Sequence, residues 1–178
     1  MFDFLRQKSN ATADMVAEAL FNVLIGPSES EAEWMATFND LEIDPDCGLS
    51  ELFYLRAAAV DIAVVTALEA DPGQEDVLSG YRARLEKLLE ERYSREDFES
   101  RKVAYLEAFK RSVLEGAGKV SEGKSNPYMD IALKFAQFCG SEDIALVPIG
   151  GNFAAYLNNT HEFLRSIKIV ESGFGGSQ

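Results

Sequence analysis

The longest apolar run of the chain lies at residues 49–70 and has the composition of a buried helix. At about 100° per residue, its apolar side chains cover three faces of such a helix. A narrow seam near Tyr54 and Asp61 is polar. One face has small side chains alone, which would let another helix approach closely. That face consists of Ala59, Ala63, Ala67 and Ala70.

A helix that is apolar around most of its circumference belongs either in the centre of a bundle or in a membrane. A membrane span requires about 20 consecutive residues that are predominantly apolar and carry few or no charges. The run at 49–70 is interrupted by Arg56 and Asp61, and no other segment of the sequence approaches its length. We therefore interpret the run as the core of a bundle and expect no association with a membrane.

Shorter segments with apolar residues at helical spacing lie on both sides of this run. The breaks between them include Gly26-Pro27 and Asp71-Pro72-Gly73. The predicted helices cover about 12–25, 28–39, 74–93, 95–115, 127–139 and 152–166. The pattern therefore predicts an all-α, single-domain bundle of six to seven helices around the central apolar helix at about 49–70.

Three finer expectations concern the boundaries and pairing of these elements. We expect one helical domain at 1–170 and a flexible C-terminal tail at 171–178. The junction near Tyr93-Ser94 is short, so the two long helices that it joins are expected to pack antiparallel. The β-prone residues around Ile169 predict a short strand that pairs with residues 145–149.

The acidic charge of the chain is concentrated in its first part. Residues 1–76 contain 16 acidic and 3 basic residues, whereas residues 77–178 contain 14 of each, so the net charge of −13 belongs to the first part. Nucleic acids and anionic membranes both require a basic patch, and we therefore expect neither as a partner. The acidic field favours basic protein surfaces or cations, or it serves solubility alone.

An acidic loop before the central helix is the sharpest candidate for a metal site. Its carboxylates occupy positions 1, 3, 5, 7 and 12 of a twelve-residue window, the ligand spacing of a calcium-binding helix–loop–helix. These residues are Asp40, Glu42, Asp44, Asp46 and Glu51. Position 6 requires a glycine, but here it is Pro45, with a φ locked near −65°. Looser binding of a divalent cation, or an acidic turn in which Asp44 or Asp46 caps a helix, are the alternatives.

The polar seam of the central helix is the second candidate. A carboxylate midway along a buried helix, such as Asp61, must be paired, hydrogen-bonded or protonated. It either anchors to an Arg, Tyr or Lys of a neighbouring helix or lines a polar pocket with Tyr54. Arg56 is interpreted as a packing or salt-bridge residue.

Two weaker features complete the search for chemistry. His161 is the one histidine of the chain, and we interpret it as a surface or cap position near a helix end. Gly150-Gly151, just before a predicted helix, could present backbone N–H groups to an anion, although two adjacent glycines more commonly form a plain turn. No motif for a phosphate loop, a zinc-binding helix or a serine nucleophile is present in the sequence.

The sequence thus favours a non-enzymatic protein–protein interaction module with an acidic N-terminal part, which binds a protein partner or associates with a second copy of itself. The alternative is a protein that binds a small molecule or a divalent cation, and this alternative extends to enzymes. Such a protein would use a pocket at Tyr54 and Asp61 or the acidic loop at 40–51. We predict no catalytic residue and no cofactor. The N-terminus lacks the apolar run of a secretion signal, and Cys47 and Cys139 are too few for a disulfide framework, so a cytoplasmic location is expected.

Overall fold

A computed structural model of the protein describes residues 8–25, 31–118, 128–141 and 147–170. These residues form seven helices and two short strands, which confirms the predicted all-α, single-domain bundle. In chain order the elements are β1 (Ser9–Thr12), α1 (Ala13–Ile25), α2 (Glu31–Asp40), α3 (Pro45–Ala67), α4 (Gln74–Arg92), α5 (Arg95–Gly118), α6 (Met129–Phe138), α7 (Val147–Ser166) and β2 (Ile167–Val170). The predicted tail at 171–178 lies outside the described residues.

The central helix α3 begins four residues before its predicted start, because two N-terminal signals act together. Asp44 accepts hydrogen bonds from the backbone N–H groups of Asp46 and Cys47, each at 3.0 Å, and so satisfies two donors that have no partner within the helix. Pro45 occupies the first helical position, where its missing N–H costs nothing. The helix ends at Ala67, shortly before the break at Asp71-Pro72-Gly73.

Helix α3 separates the interior of the bundle into two apolar cores. Every residue from Glu51 to Val60 is buried, which confirms the prediction of a helix that is enclosed around its circumference. The first core joins α3 to α2, α5, α6 and α7 through residues that include Leu55, Phe135 and Phe153. The second joins α3 to α1 and α4 through residues that include Val60 and Tyr81. Burial of each large apolar side chain contributes about 1.5–3 kcal/mol, so α3 stabilises both halves.

Small residues bring two helices close to α3. Helix α7 packs along α3 more extensively than any other described helix, and Ala59 and Ala63 are fully buried in the core that the two helices share. Near the start of α3, a Cβ on Gly48 would lie 2.6 Å from the ring of Phe38, too close for any side chain but hydrogen. Glycine is therefore required where α2 crosses α3.

The predicted antiparallel pairing of α4 with α5 is wrong, since the two helices make little contact along their lengths. Helix α4 packs mainly against α1, and α5 packs against α3 and α6. The physical reason is that their apolar stripes face different cores: Tyr81 and Leu85 of α4 lie in the second core, and Tyr105 and Ala108 of α5 lie in the first. Helix α3 therefore lies between α4 and α5.

The two strands form a parallel pair that joins the beginning and the end of the described chain. The register runs from Ser9 opposite Ile167 to Thr12 opposite Val170. The prediction placed a strand correctly at Ile167–Val170, but its partner is wrong, because residues 147–149 are already helical and belong to α7. Residues 145–146 lie outside the described part. Among the described residues, no helix is both long and apolar enough to cross a membrane.

Candidate functional site

A buried carboxylate lies at the centre of a small polar network in the interior. Glu51, in the second turn of α3, is only 3% exposed. Its Oε1 accepts a hydrogen bond from Nε of Arg101 at 2.8 Å, and its Oε2 accepts one from the hydroxyl of Tyr105 at 3.4 Å. Arg101 and Tyr105 are four residues apart on α5 and therefore project from the same face of that helix. The geometry satisfies both oxygens of a carboxylate that would otherwise be costly to bury.

The ionisation of this group reflects its burial. Removal from water raises the pKa of Glu51, and the hydrogen bond and positive charge of Arg101 oppose that rise without cancelling it. Burial, with the negative charge of Glu51 beside it, raises the pKa of Tyr105 well above its ordinary value. Tyr105 therefore remains protonated and can donate to Glu51 throughout the physiological range.

Two thiols border the same polar cluster. Cys47, in the first turn of α3, and Cys139, just after the end of α6, lie 92 positions apart in the sequence, yet each thiol influences the pKa of the other. Both are free and partly buried. Burial is the largest cause that raises the pKa of each thiol, and the nearby Glu51 carboxylate adds to it. Both thiols are consequently protonated at neutral pH.

A cleft of about 540 Å³ lies over this cluster. Its walls come from the N-terminal half of α3, the turn between α4 and α5, the first turns of α5 and the end of α6. Glu90, Glu91 and Asp97 contribute carboxylates to the walls, in addition to Glu51. Two cations also line the cleft, Arg92 and Arg101. The guanidinium of Arg101 is bound to Glu51 and lies 3.6 Å from Asp97, and it packs over the ring of Phe138 at 4.2 Å. We call this feature the acidic cleft.

Tyr54 holds one wall of the acidic cleft in place. Its hydroxyl accepts a hydrogen bond from the backbone N–H of Ser94 at 3.1 Å. Beside it, the ring of Tyr93 stacks on that of Phe53 with 4.1 Å between centroids. These contacts fix the turn between α4 and α5 against α3.

The predicted pocket of Tyr54 and Asp61 does not form as a single site. Tyr54 lines the acidic cleft, but Asp61 lies two turns further along α3 and is not among the residues that line it. Both oxygens of Asp61 accept hydrogen bonds from Arg82 of α4 at 2.9 Å. This bidentate pair matches the structural alternative that the sequence left open, an anchor to a neighbouring helix.

The predicted metal ligands are not brought together. Asp44 caps α3, Glu51 is directed into the interior, and the remaining three are exposed: Asp40, Glu42 and Asp46. The reason is that α3 begins at Pro45, so the second half of the predicted loop is helical. Among the described residues, no group of three or more His, Cys, Asp or Glu side chains could hold a metal ion.

The weaker candidates have structural partners. Nε2 of His161 lies 2.6 Å from Oγ1 of Thr66, and burial lowers the pKa of the imidazole, with Arg165 as the second cause. Nε of Arg56 donates to Oδ1 of Asn152 at 3.4 Å. Gly150-Gly151 lies within the first turns of α7 and not ahead of it.

Sequence reasoning missed the partners of Glu51 and the influence of its carboxylate on the two thiols. One signal was present: Glu51 is followed directly by the large apolar residues Leu52 and Phe53, so a helix buried around that point would enclose the carboxylate. Nothing in the local pattern could name Arg101 as the partner, because that choice depends on how α5 crosses α3. Comparison with known proteins adds no family to this description, since no family model, curated protein or solved structure matches the chain.

Proposed function

We propose that the protein is a non-enzymatic binding module whose acidic cleft receives a basic segment of a partner protein. The observation that carries the proposal is the charge of the cleft. Four carboxylates line it, those of Glu51, Glu90, Glu91 and Asp97, against the two cations Arg92 and Arg101, and Arg101 is already bound to Glu51. A surface of this kind attracts lysine and arginine side chains and disfavours acidic or nucleic-acid partners.

The size and the bonding of the cleft support binding over catalysis. A volume of about 540 Å³ is within the range of small-ligand sites and can hold one or two long basic side chains. The ionisable groups at its floor are engaged with one another in ion pairs and hydrogen bonds, as in a structural network. Free thiols at the same place fit a reducing compartment, and we propose the cytoplasm as its location.

The test uses a short fluorescent peptide of alternating arginine and serine, with fluorescence anisotropy as the measurement. A peptide with glutamate in place of arginine serves as the charge-reversed probe. We expect the basic peptide to bind the wild-type protein and the acidic peptide not to bind. Binding should weaken as salt is added, because contacts between exposed charges are screened.

A pair of variants with the same net charge separates the cleft from the general acidity of the chain. The double variant Glu90→Gln/Glu91→Gln removes two carboxylates from the cleft, and Glu69→Gln/Glu75→Gln removes two exposed carboxylates near the other end of α3 and α4. Glu75 lies about 22 Å from Glu90 along the axis of α4. We expect the cleft variant to lose about two- to thirtyfold in affinity, since each of the two exposed ion pairs contributes about 0.2–1 kcal/mol. Equal losses in both variants would contradict the proposal.

A further inference from the structure

A second pocket lies beside the acidic cleft, where the end of α1 meets the first half of α3 and the C-terminal end of α4. Its volume is about 530 Å³, within the range of small-ligand sites. Helix α3 contributes residues 49, 52, 53 and 56, a spacing that places them on one face of the helix. We call this feature the arginine pocket, after Arg56 and Arg92, which both line it.

Most of the lining of the arginine pocket is apolar. Leu24 of α1 and Leu52 and Phe53 of α3 are buried, whereas Ile25, the last residue of α1, is 48% exposed. The lining therefore runs from the interior of the bundle to its surface, so the pocket is open to solvent. Such a lining favours the apolar part of a ligand, because the contact removes apolar surface from water.

The charged part of the lining is positive. Arg56 is 5% exposed, and its contacts with α7 are to uncharged groups: Nε donates to Oδ1 of Asn152 at 3.4 Å, and the guanidinium lies 4.9 Å from the centroid of the Tyr156 ring. Arg92 is exposed and makes no ion pair with any residue that the structure describes. None of the described residues that line the pocket is an Asp or a Glu.

We propose that the arginine pocket binds an amphiphilic anion, a small molecule with a carboxylate and an apolar chain. The arginine side chains would hold the carboxylate, since a guanidinium presents N–H donors in a fork that matches its two oxygens. The apolar chain would lie against the leucine and phenylalanine side chains. The net charge of −13 repels anions at long range, so the two arginines must act at short range, where the ligand is already in the pocket.

The test titrates the full chain with decanoate, below the concentration at which it forms micelles, and follows the methyl signals of leucine and isoleucine by NMR. We expect saturable shift changes centred on Leu24, Ile25, Leu52 and Leu88, which line the arginine pocket and not the acidic cleft. Acetate has the carboxylate without the chain, and decyltrimethylammonium has the chain with a positive charge. Each should bind at least about tenfold more weakly than decanoate.

A matched pair of variants tests the contribution of the positive charge. Arg92→Gln changes an exposed side chain of the pocket and so leaves the fold intact, and Arg111→Gln makes the same change at an exposed position of α5 outside the pocket. We expect Arg92→Gln to weaken the binding of decanoate about two- to fivefold, the effect of one exposed ion pair, and Arg111→Gln to leave it unchanged.

Four results would overturn the proposal. The first is an absence of saturable binding of decanoate, and the second is shift changes centred on methyl groups outside the arginine pocket. The third is equal affinity for decanoate and decyltrimethylammonium, which would indicate apolar adsorption without recognition of charge. The fourth is an equal effect of Arg92→Gln and Arg111→Gln, which would assign the effect to the net charge of the protein.

Discussion

Glu51 brings an ionisable carboxylate into the apolar interior, where Arg101 and Tyr105 contact its two oxygens. A buried ion pair of this kind is weak evidence for stability, since the cost of dehydrating both charges can exceed their attraction. The raised pKa of Glu51 indicates that burial outweighs Arg101 here. The ion pair therefore fixes the position of α5 against α3 more than it contributes to net stability.

The effect of pH on stability tests whether the burial of Glu51 outweighs the attraction of Arg101. The folded state holds the proton of Glu51 more tightly than the unfolded state, because its folded pKa is raised. The stabilisation linked to that proton is fully present below the ordinary carboxyl pKa, about 4.3, and is lost as the pH rises through the raised folded value. In urea unfolding, wild type should therefore lose stability relative to Glu51→Gln as the pH is raised from 4 to 7.

The exposed variant Glu69→Gln carries the same chemical change and corrects for the altered net charge. If wild type instead gained stability over Glu51→Gln as the pH rose, the attraction of Arg101 would outweigh burial. The conclusion about Glu51 would then be reversed.

At the scale of the residue, the sequence singled out the important positions, but it predicted less well which partners their side chains contact. The sequence makes Glu51 a candidate for the last ligand of a metal loop and leaves two alternatives for Asp61, of which the structure has the anchor to a neighbouring helix, through Arg82. The partner of a buried charge is chosen by the crossing of helices that are distant in sequence. A local pattern contains no information about that crossing.

At the scale of the element, the start of α3 decides between a metal loop and a helix cap. The carboxylate of Asp44 accepts two backbone hydrogen bonds at 3.0 Å, and Pro45 follows at the first helical position. Asp44 therefore acts as a helix cap, and the described carboxylates around it do not converge into a group that could hold a metal ion. The cap also orients the turn of α3 that carries Cys47 into the acidic cleft.

The variant Asp44→Ala should destabilise the protein by about 0.5–2 kcal/mol in urea unfolding, because it leaves two N-terminal N–H groups of α3 without their acceptor. Asp44→Asn keeps an acceptor oxygen while it removes the charge, and it should retain most of the stability. If Asp44→Asn were as damaging as Asp44→Ala, the negative charge and not the hydrogen bonds would be what matters.

Helix existence was predictable because most elements have a clear apolar period and clear stop signals such as Asp71-Pro72-Gly73. The pairing between elements was harder to predict from the sequence. The strand at Ile167–Val170 was expected beside residues 145–149, yet it pairs with Ser9–Thr12 at the far end of the chain. A four-residue strand carries too little pattern to select among partners, and the packing of the whole bundle makes the choice.

At the scale of the whole molecule, α3 connects two cores, and the acidic cleft lies where the N-terminal half of α3 reaches the surface. The uneven charge of the sequence indicated an acidic face but not its place. Three of the cleft's carboxylates come from the second part of the chain, which has no net charge: Glu90, Glu91 and Asp97. The fold, and not the overall charge asymmetry, creates this site.

The central claim is that a basic segment binds in the acidic cleft, and mapping of amide chemical shifts by NMR tests it most directly. The isotope-labelled protein is titrated with the peptide of alternating arginine and serine. We predict that the shift changes concentrate at residues 47–54 and 90–97, with little change along α1 or in α7. Changes spread evenly over exposed acidic positions, or centred on the far end of α3 and α4 near Glu69 and Glu75, would contradict the account.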